Sequence, residues 1–217
     1  VLFLAALLAR PDVLILDELP AGRGKIITGV RVKPKVTVVT KFLKEQLAKG
    51  RQIFLVYPLV EESETVKAES ATGEVEKWQK RLKDYEVGLL HGQMKPEEKE
   101  EVMNRFRENA LQVLVATTVV EVGVDVPNAS VMVIYNAERF GLAQLHQLRG
   151  RIGRGEHKSY CILVTDGKAG ESLKKLKVLE GTGDGFQIAE EDLLMRGPGE
   201  VLGTAQSGLS DLRFVEF

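Results

Sequence analysis

Cysteine is nearly missing from this chain: Cys161 is the only one in 217 residues. A lone thiol excludes an intramolecular disulfide and points to a reducing compartment, the cytoplasm. Long apolar runs are missing as well. The opening VLFLAALLA has nine residues, too few to span a bilayer, and lacks a basic flank and a cleavage site, so no membrane attachment is expected. Neither sign of charge dominates, because 30 basic side chains face 31 acidic ones and leave a formal charge of −1. The chain as a whole exerts no electrostatic pull on nucleic acid, so any such contact must use local patches. His91, His146 and His157 have no ligand spacing with one another or with Cys161, and no metal site is expected. With no initiator Met, the chain reads as a piece of a longer protein, entered inside a helix.

A phosphate-cradling loop is also absent. DVLILDELPAGRGK, residues 12 to 25, has the look of a strand delivering an acidic pair, Asp17-Glu18, to a magnesium ion. Such a site needs G-x-x-x-x-G-K-[ST], whose successive backbone N–H groups wrap the phosphates. GRGKI has the wrong spacing, puts Ile26 where a hydroxyl should bind magnesium, and follows the acidic strand instead of preceding it. Asp17 and Glu18 are therefore expected to be non-catalytic.

What the chain does have is 44% hydrophobic content, enough for a sizeable core. Short apolar runs alternate with segments of helical period, the pattern of a parallel α/β sheet wrapped by helices. Strands are expected at Val13–Leu16, Ile26–Val32, Gln52–Val56, Val87–Leu90, Gln112–Ala116, Val131–Tyr135 and Ser159–Val164. Helices are expected at Thr37–Lys49, Ala71–Lys83, Pro96–Arg107, Leu142–Ile152 and Glu171–Leu179. Lys41, Lys44 and Lys49 read as a solvated face, and the charged stretch Glu61–Lys80 as a surface loop running into an exposed helix. After Asp166, glycines punctuate two helical pieces, and RGPGEVLGTAQSG cannot be a regular element, so a boundary is expected near residue 167.

Two stretches suggest chemistry. In VLVATTVVEVGVDVPNASVMVIY, residues 113 to 135, a buried strand is expected to end at Ala116 and expose Thr117 and Thr118 on its carboxyl rim, where open α/β sheets bind ligands. Gly123 permits a close turn, and Asp125 can accept hydrogen bonds from hydroxyls. In QLHQLRGRIGRG, residues 144 to 155, a continuous helix would put Gln144, Gln147, Arg151 and Arg154 on one face. Leu142, Leu145, Leu148 and Ile152 would share another, packed on the sheet. Two arginines near Gly150 and Gly153 make a fork suited to phosphate oxygens, and no acidic residue follows Phe140 before Gly155 to neutralise them.

ATTVVEVGVDVP followed by ERFGLAQLHQLRGRIGRG resembles motifs V and VI of superfamily 2 helicases. FGLAQLHQLRGRIGRG narrows the resemblance to the branch that holds RecG and the transcription-repair coupling factor. DELPAGR, IFLVYPLVEESE, GLLHGQMKPEEKEEVMNRF and DGFQIAEEDLLMRGPGEVLGTAQSGLSDL resemble RecG segments, from the end of motif III to the translocation hairpin and loop.

The resemblance implies a RecA-like helicase C-terminal domain at residues 20–166. It is preceded at 1–19 by the tail of a first RecA-like domain and followed at 167–217 by a helical hairpin and translocation loop. ATP and Mg2+ would be held mainly by that first domain, so the isolated chain is expected to be inert as an ATPase. Arg151 and Arg154 would reach the triphosphate, Arg154 as the arginine finger, with Gln147, Gly123 and Asp125 on the nucleotide side. Thr117, Thr118, His91, Gly92, Arg196 and Gln206 would serve DNA contact or coupling. The partners implied are branched duplex DNA and the rest of the same protein, with the whole acting as a monomer. Closure on ATP would shift the hairpin and move the loop against DNA. Two positions depart from the pattern: Ala205 and Lys175 stand where arginine is usual, and lysine keeps the charge without the bidentate fork. Two alternatives remain at this stage, the motor of a transcription-repair coupling factor and a non-catalytic DNA- or protein-binding remnant.

Overall fold

The computed structural model describes residues 26–58, 64–117, 126–155, 157–167 and 170–196, and side chains are described for all of these except 64–71, 171 and 196. The expected strand Val13–Leu16 and the acidic pair Asp17-Glu18 lie outside the described residues.

Among the described residues six strands form one parallel sheet: β1 (Ile26–Val32), β2 (Gln52–Tyr57), β3 (Val87–Leu90), β4 (Val113–Thr117), β5 (Ala129–Ile134) and β6 (Ser159–Thr165). Their spatial order is β1-β6-β5-β2-β4-β3. A parallel sheet buries both faces, so its inner strands must be apolar at nearly every position. The sequence complies: β4 and β5 are buried from end to end. Along β2, Ile53 and Leu55 join one core cluster while Phe54 and Val56 join the other, the alternation that the pleat requires.

The helices are α1 (Val36–Leu47), α2 (Glu64–Arg81), α3 (Pro96–Arg107), α4 (Leu142–Arg149), α5 (Gly170–Gly181) and α6 (Gly185–Arg196). α1 and α2 cover one face through Val39, Leu43, Leu47 and Trp78. The other face is covered by α3 through Met103 and Phe106, α4 through Leu142, Leu145 and Leu148, and the last two helices through Leu176, Leu179 and Ile188. At an average of roughly 1.5–3 kcal/mol for each fully buried aliphatic side chain, these stripes are what hold the helices to the sheet.

Two expected helices differ from the observed ones by three residues or more at one end. The second helix starts at Glu64, not Ala71, so most of the segment taken for a surface loop is helical. Its sequence is polar and weakly amphipathic, and of its described side chains only Trp78 is deeply buried, with Leu82 just beyond it, so hydrophobic period gave no warning of the early start. The fourth helix ends at Arg149, not Ile152. Gly150 closes it in αR geometry, Arg151 and Ile152 continue in tight turns bonded to Leu148 O and Arg149 O, and Gly153 turns away at φ +82°.

Candidate functional site

The end of α4 carries the arginine pair. Gln144 folds back on the helix start, where its Oε1 accepts the N–H of Gly141 at 3.0 Å. Leu142, Leu145, Leu148 and Ile152 are all buried, as their spacing implies. Gln147 is half-buried on the same helix. Arg151 and Arg154, however, lie beyond the helix, so the single helical face expected for Gln144, Gln147, Arg151 and Arg154 is not what aligns them. The glycine-punctuated turn brings the two arginines near each other, while Gln144 is engaged at the start of the helix. Both guanidinium groups are half-buried. Burial lowers the Arg151 pKa first, and the like charge of Arg154 lowers it further, so the two cations are close enough to feel each other. A pair of partly desolvated cations at a helix end is an arrangement that gains from an anion bridging them.

This turn abuts the other informative stretch at Pro127. Gly155 packs against the Pro127 carbonyl with no space for a side chain between them. Pro127 leads into the amino end of β5, and α4 follows the carboxyl end of that strand, so α4 returns along the sheet and delivers its arginines to the amino rim.

Of the candidate DNA residues, Thr117, His91 and Gly92 lie at the opposite rim. Thr117 ends β4, paired with Tyr57 on β2, and Leu90 of β3 pairs with Ala116. His91 therefore follows its strand beside Thr117. The expectation that Thr117 is exposed is corrected: it is 6% exposed, because β4 runs one residue further than expected and is flanked on both sides. His91 is half-buried and its N–H donates to Met94 Sδ at 3.4 Å. Gly92 is exposed, and its carbonyl accepts from Lys99 Nζ at 2.7 Å, which pins the loop to α3. Thr118, Gly123, Asp125, Ala205 and Gln206 lie outside the described residues; Arg196 is the last residue of α6, with no side chain described. Lys175 Nζ donates to Glu138 O at 3.2 Å.

Sequence reading missed Arg149 and His146. Arg149 is 5% exposed, and its Nη1 donates to Leu179 O at 2.9 Å and Thr182 O at 2.8 Å. Its Nη2 donates to His146 Nδ1 at 2.9 Å, which fixes the histidine as the neutral tautomer protonated on Nε2. Burial, then the Arg149 charge, takes the His146 pKa down to about 4. One signal was available. Arg149 falls seven residues after Leu142 and three before Ile152, on the apolar stripe, where a charged residue needs buried partners.

A groove of about 640 Å3 lies along α1, lined by Thr37, Thr40, Lys41, Lys44 and Arg81 among others. It is on the other sheet face from α4 and holds none of the motif residues, so concavity does not mark the site here. A nucleotide bound between two domains leaves only half a cleft on either one.

Residues 34–156 match the family model of the helicase conserved C-terminal domain, and residues 182–216 match that of domain 3, C-terminal, of ATP-dependent DNA helicase RecG. The chain belongs to the family of helicase C-terminal domains, with a RecA-like parallel sheet. Within that family its resemblance is to RecG. It is 50% identical over 197 residues to the ATP-dependent DNA helicase RecG of Synechocystis sp., covering 90% of this chain and 24% of the relative. It is 50% identical over 206 residues to that of Aquifex aeolicus, covering 93% and 26%. A solved structure of RecG bound to a three-way DNA junction superposes with a TM-score of 0.72 at 46% identity, covering 85% of this chain and 24% of that one. The chain thus spans about a quarter of the length of these relatives. Domain 2 of the DEAD-box helicase Mss116p, at 15% identity and a TM-score of 0.57, shares the fold.

Proposed function

We propose that this chain is the carboxy-terminal part of the motor of a RecG-like ATP-dependent DNA helicase, which remodels branched duplex DNA in the cytoplasm as a monomer. The observation that carries the reading is the arginine pair, two half-buried cations placed together by the turn after α4 and lacking a phosphate loop of their own. Such a pair suits a triphosphate whose phosphates and Mg2+ are held by another domain of the same protein. When ATP is bound, Arg154 stabilises charge developing on the transferred phosphoryl group and Arg151 holds the neighbouring oxygens. Gln147, Gly123 and Asp125 serve the nucleotide. Thr117, Thr118, His91 and Gly92 serve DNA contact or coupling, and Arg196 and Gln206 pass the stroke to the duplex. The isolated chain is inert toward ATP, because it supplies only half of the cleft.

The test is made in the full-length protein. Arg154→Ala lowers DNA-stimulated ATP hydrolysis on the order of 10³-fold, while branched-DNA binding stays within a few-fold of wild type. Undiminished turnover removes Arg154 from its role. Gln206→Ala separates the two activities, with hydrolysis retained and unwinding lost; equal loss of both counts against the coupling role.

A further inference from the structure

Helices α5 and α6 resemble the base of a lever, and a lever can work in two ways. It can flex against the domain that carries it, or it can be fixed to that domain and move only when the domain moves. The contacts around α5 discriminate between these. Leu176, Leu179 and Ile188 are at most 1% exposed and belong to the same core cluster as Leu142, Leu145, Leu148, Met132 and Cys161. The hairpin has no separate core among the described residues.

Three polar ties reinforce the shared core. Glu180 Oε1 accepts the N–H of Val30 at 3.1 Å, on the exposed edge of β1. Lys175 Nζ donates to Glu138 O in the turn Ala137–Arg139. The third is Arg149, the last residue of α4 and two positions before Arg151. It donates both to the carbonyl of Leu179 and to that of Thr182, at the end of α5 where a helix leaves carbonyls unsatisfied and the dipole is negative. His146 accepts from its other nitrogen. Sliding α5 against α4 would strand a buried guanidinium without its acceptors and uncover three apolar side chains, a change that buried ions resist strongly.

We propose that Arg149 is a positioning residue that bonds the hairpin to the arginine-bearing turn. Through it, α5 and α6 travel with the RecA-like domain as one body, and the stroke reaches Arg196 as whole-domain rotation and not as flexing near residue 167. The activity part of this inference rests on the helicase reading above; the tether itself does not.

Two experiments in the full-length protein decide it. The first is a cross-link. Val30→Cys and Glu180→Cys place thiols on either side of the β1–α5 contact, to be closed with a short bis-maleimide after accessible cysteines elsewhere are replaced. Cys161 does not compete, since burial pushes its thiol up to about 12. The linked protein is expected to hydrolyse ATP and unwind a forked duplex within about twofold of the unlinked double variant. Hydrolysis at the unlinked rate with unwinding down by about tenfold or more means that the hairpin must move against the sheet, and overturns the proposal.

The second experiment reads the tether without activity. By hydrogen exchange, Arg149→Met is expected to speed the amides of residues 178–188 by about tenfold or more, with Arg149→Lys in between and β4 and β5 unchanged. No change at Thr182 overturns the tether. Uniform acceleration that includes β4 and β5 overturns the local role, since the residue then serves stability in general. If the unlinked protein neither hydrolyses ATP nor unwinds DNA, the helicase reading is what fails, and the exchange pattern still decides the role of Arg149.

Discussion

Gly155 stands against the carbonyl of Pro127 so closely that the two backbones leave no volume for a methyl group. The contact joins the turn that carries Arg154 to the segment entering β5. Gly155→Ala must push these apart, at a cost of about 1–3 kcal/mol for overpacking against unyielding backbone. Because Arg154 is the preceding residue, DNA-stimulated ATP hydrolysis in the full-length protein is expected to fall by about tenfold or more, from misplacement alone. Steady-state kinetics beside a urea titration check both effects, and wild-type turnover with an unchanged midpoint would contradict the close contact.

His146 gives the fold an acid limit. It is 6% exposed and holds its neutral form to accept from Arg149, with its pKa down to about 4 from 6.5. Between these values the unfolded chain binds a proton that the folded chain refuses, so protonation favours unfolding. The His146 contribution is therefore fully present above pH 6.5, declines as pH falls from 6.5 to about 4, and levels off below that. His146→Gln retains an acceptor for Arg149 and cannot titrate there. Denaturation midpoints across this range should fall less steeply for the variant; parallel curves would count against a neutral, buried histidine.

Tyr57 and Trp78 make a different kind of pair. Trp78 is 1% exposed, and its Nε1–H donates to Tyr57 Oη at 2.8 Å, while Tyr57 stacks on Tyr135 with ring centroids 4.7 Å apart. Burial raises both tyrosine pKa values, so the hydroxyls stay protonated through the physiological range. Tyr57→Phe keeps the stack and leaves the indole donor unpaired, at about 1–3 kcal/mol. Trp78 is the only tryptophan in the 217 residues, so its fluorescence follows unfolding directly. An unchanged midpoint would show that the bond contributes nothing.

Gln52 is fully buried at the start of β2, and its Nε2 donates to the carbonyls of Phe106 and Leu111, tying the sheet to the end of α3. Gln52→Leu fills much of the volume but leaves those carbonyls without that donor. A loss of about 2–3 kcal/mol is expected, read as a lower urea midpoint with an unchanged slope.

The parallel sheet was legible because its chemistry is local. A strand buried on both faces must be apolar along its length, and QIFLVY, VLVAT and ASVMVI announce this to within a residue or two. Pro96 marked the first turn of α3 for a reason equally local, since its missing N–H has no partner to lose there. The early part of α2 gave no such sign: a polar helix with little to bury has the composition of a loop. The arginine pair was legible as residues but not as geometry, because the apolar stripe continues to Ile152 while the helix ends at Arg149.

By itself the sequence determined the buried strands and most of the helices, that no acidic residue stands between Phe140 and Gly155, and which family the chain resembles. Only the tertiary structure decided that the arginine-bearing turn and the pair His91 and Thr117 lie at opposite rims of the sheet, and that Arg149 reaches across to the hairpin. The physical reason is range. Periodicity and composition act over a few residues, whereas the acceptors of Arg149 lie 30 and 33 positions along the chain and are carbonyls, which every residue has and no sequence can single out.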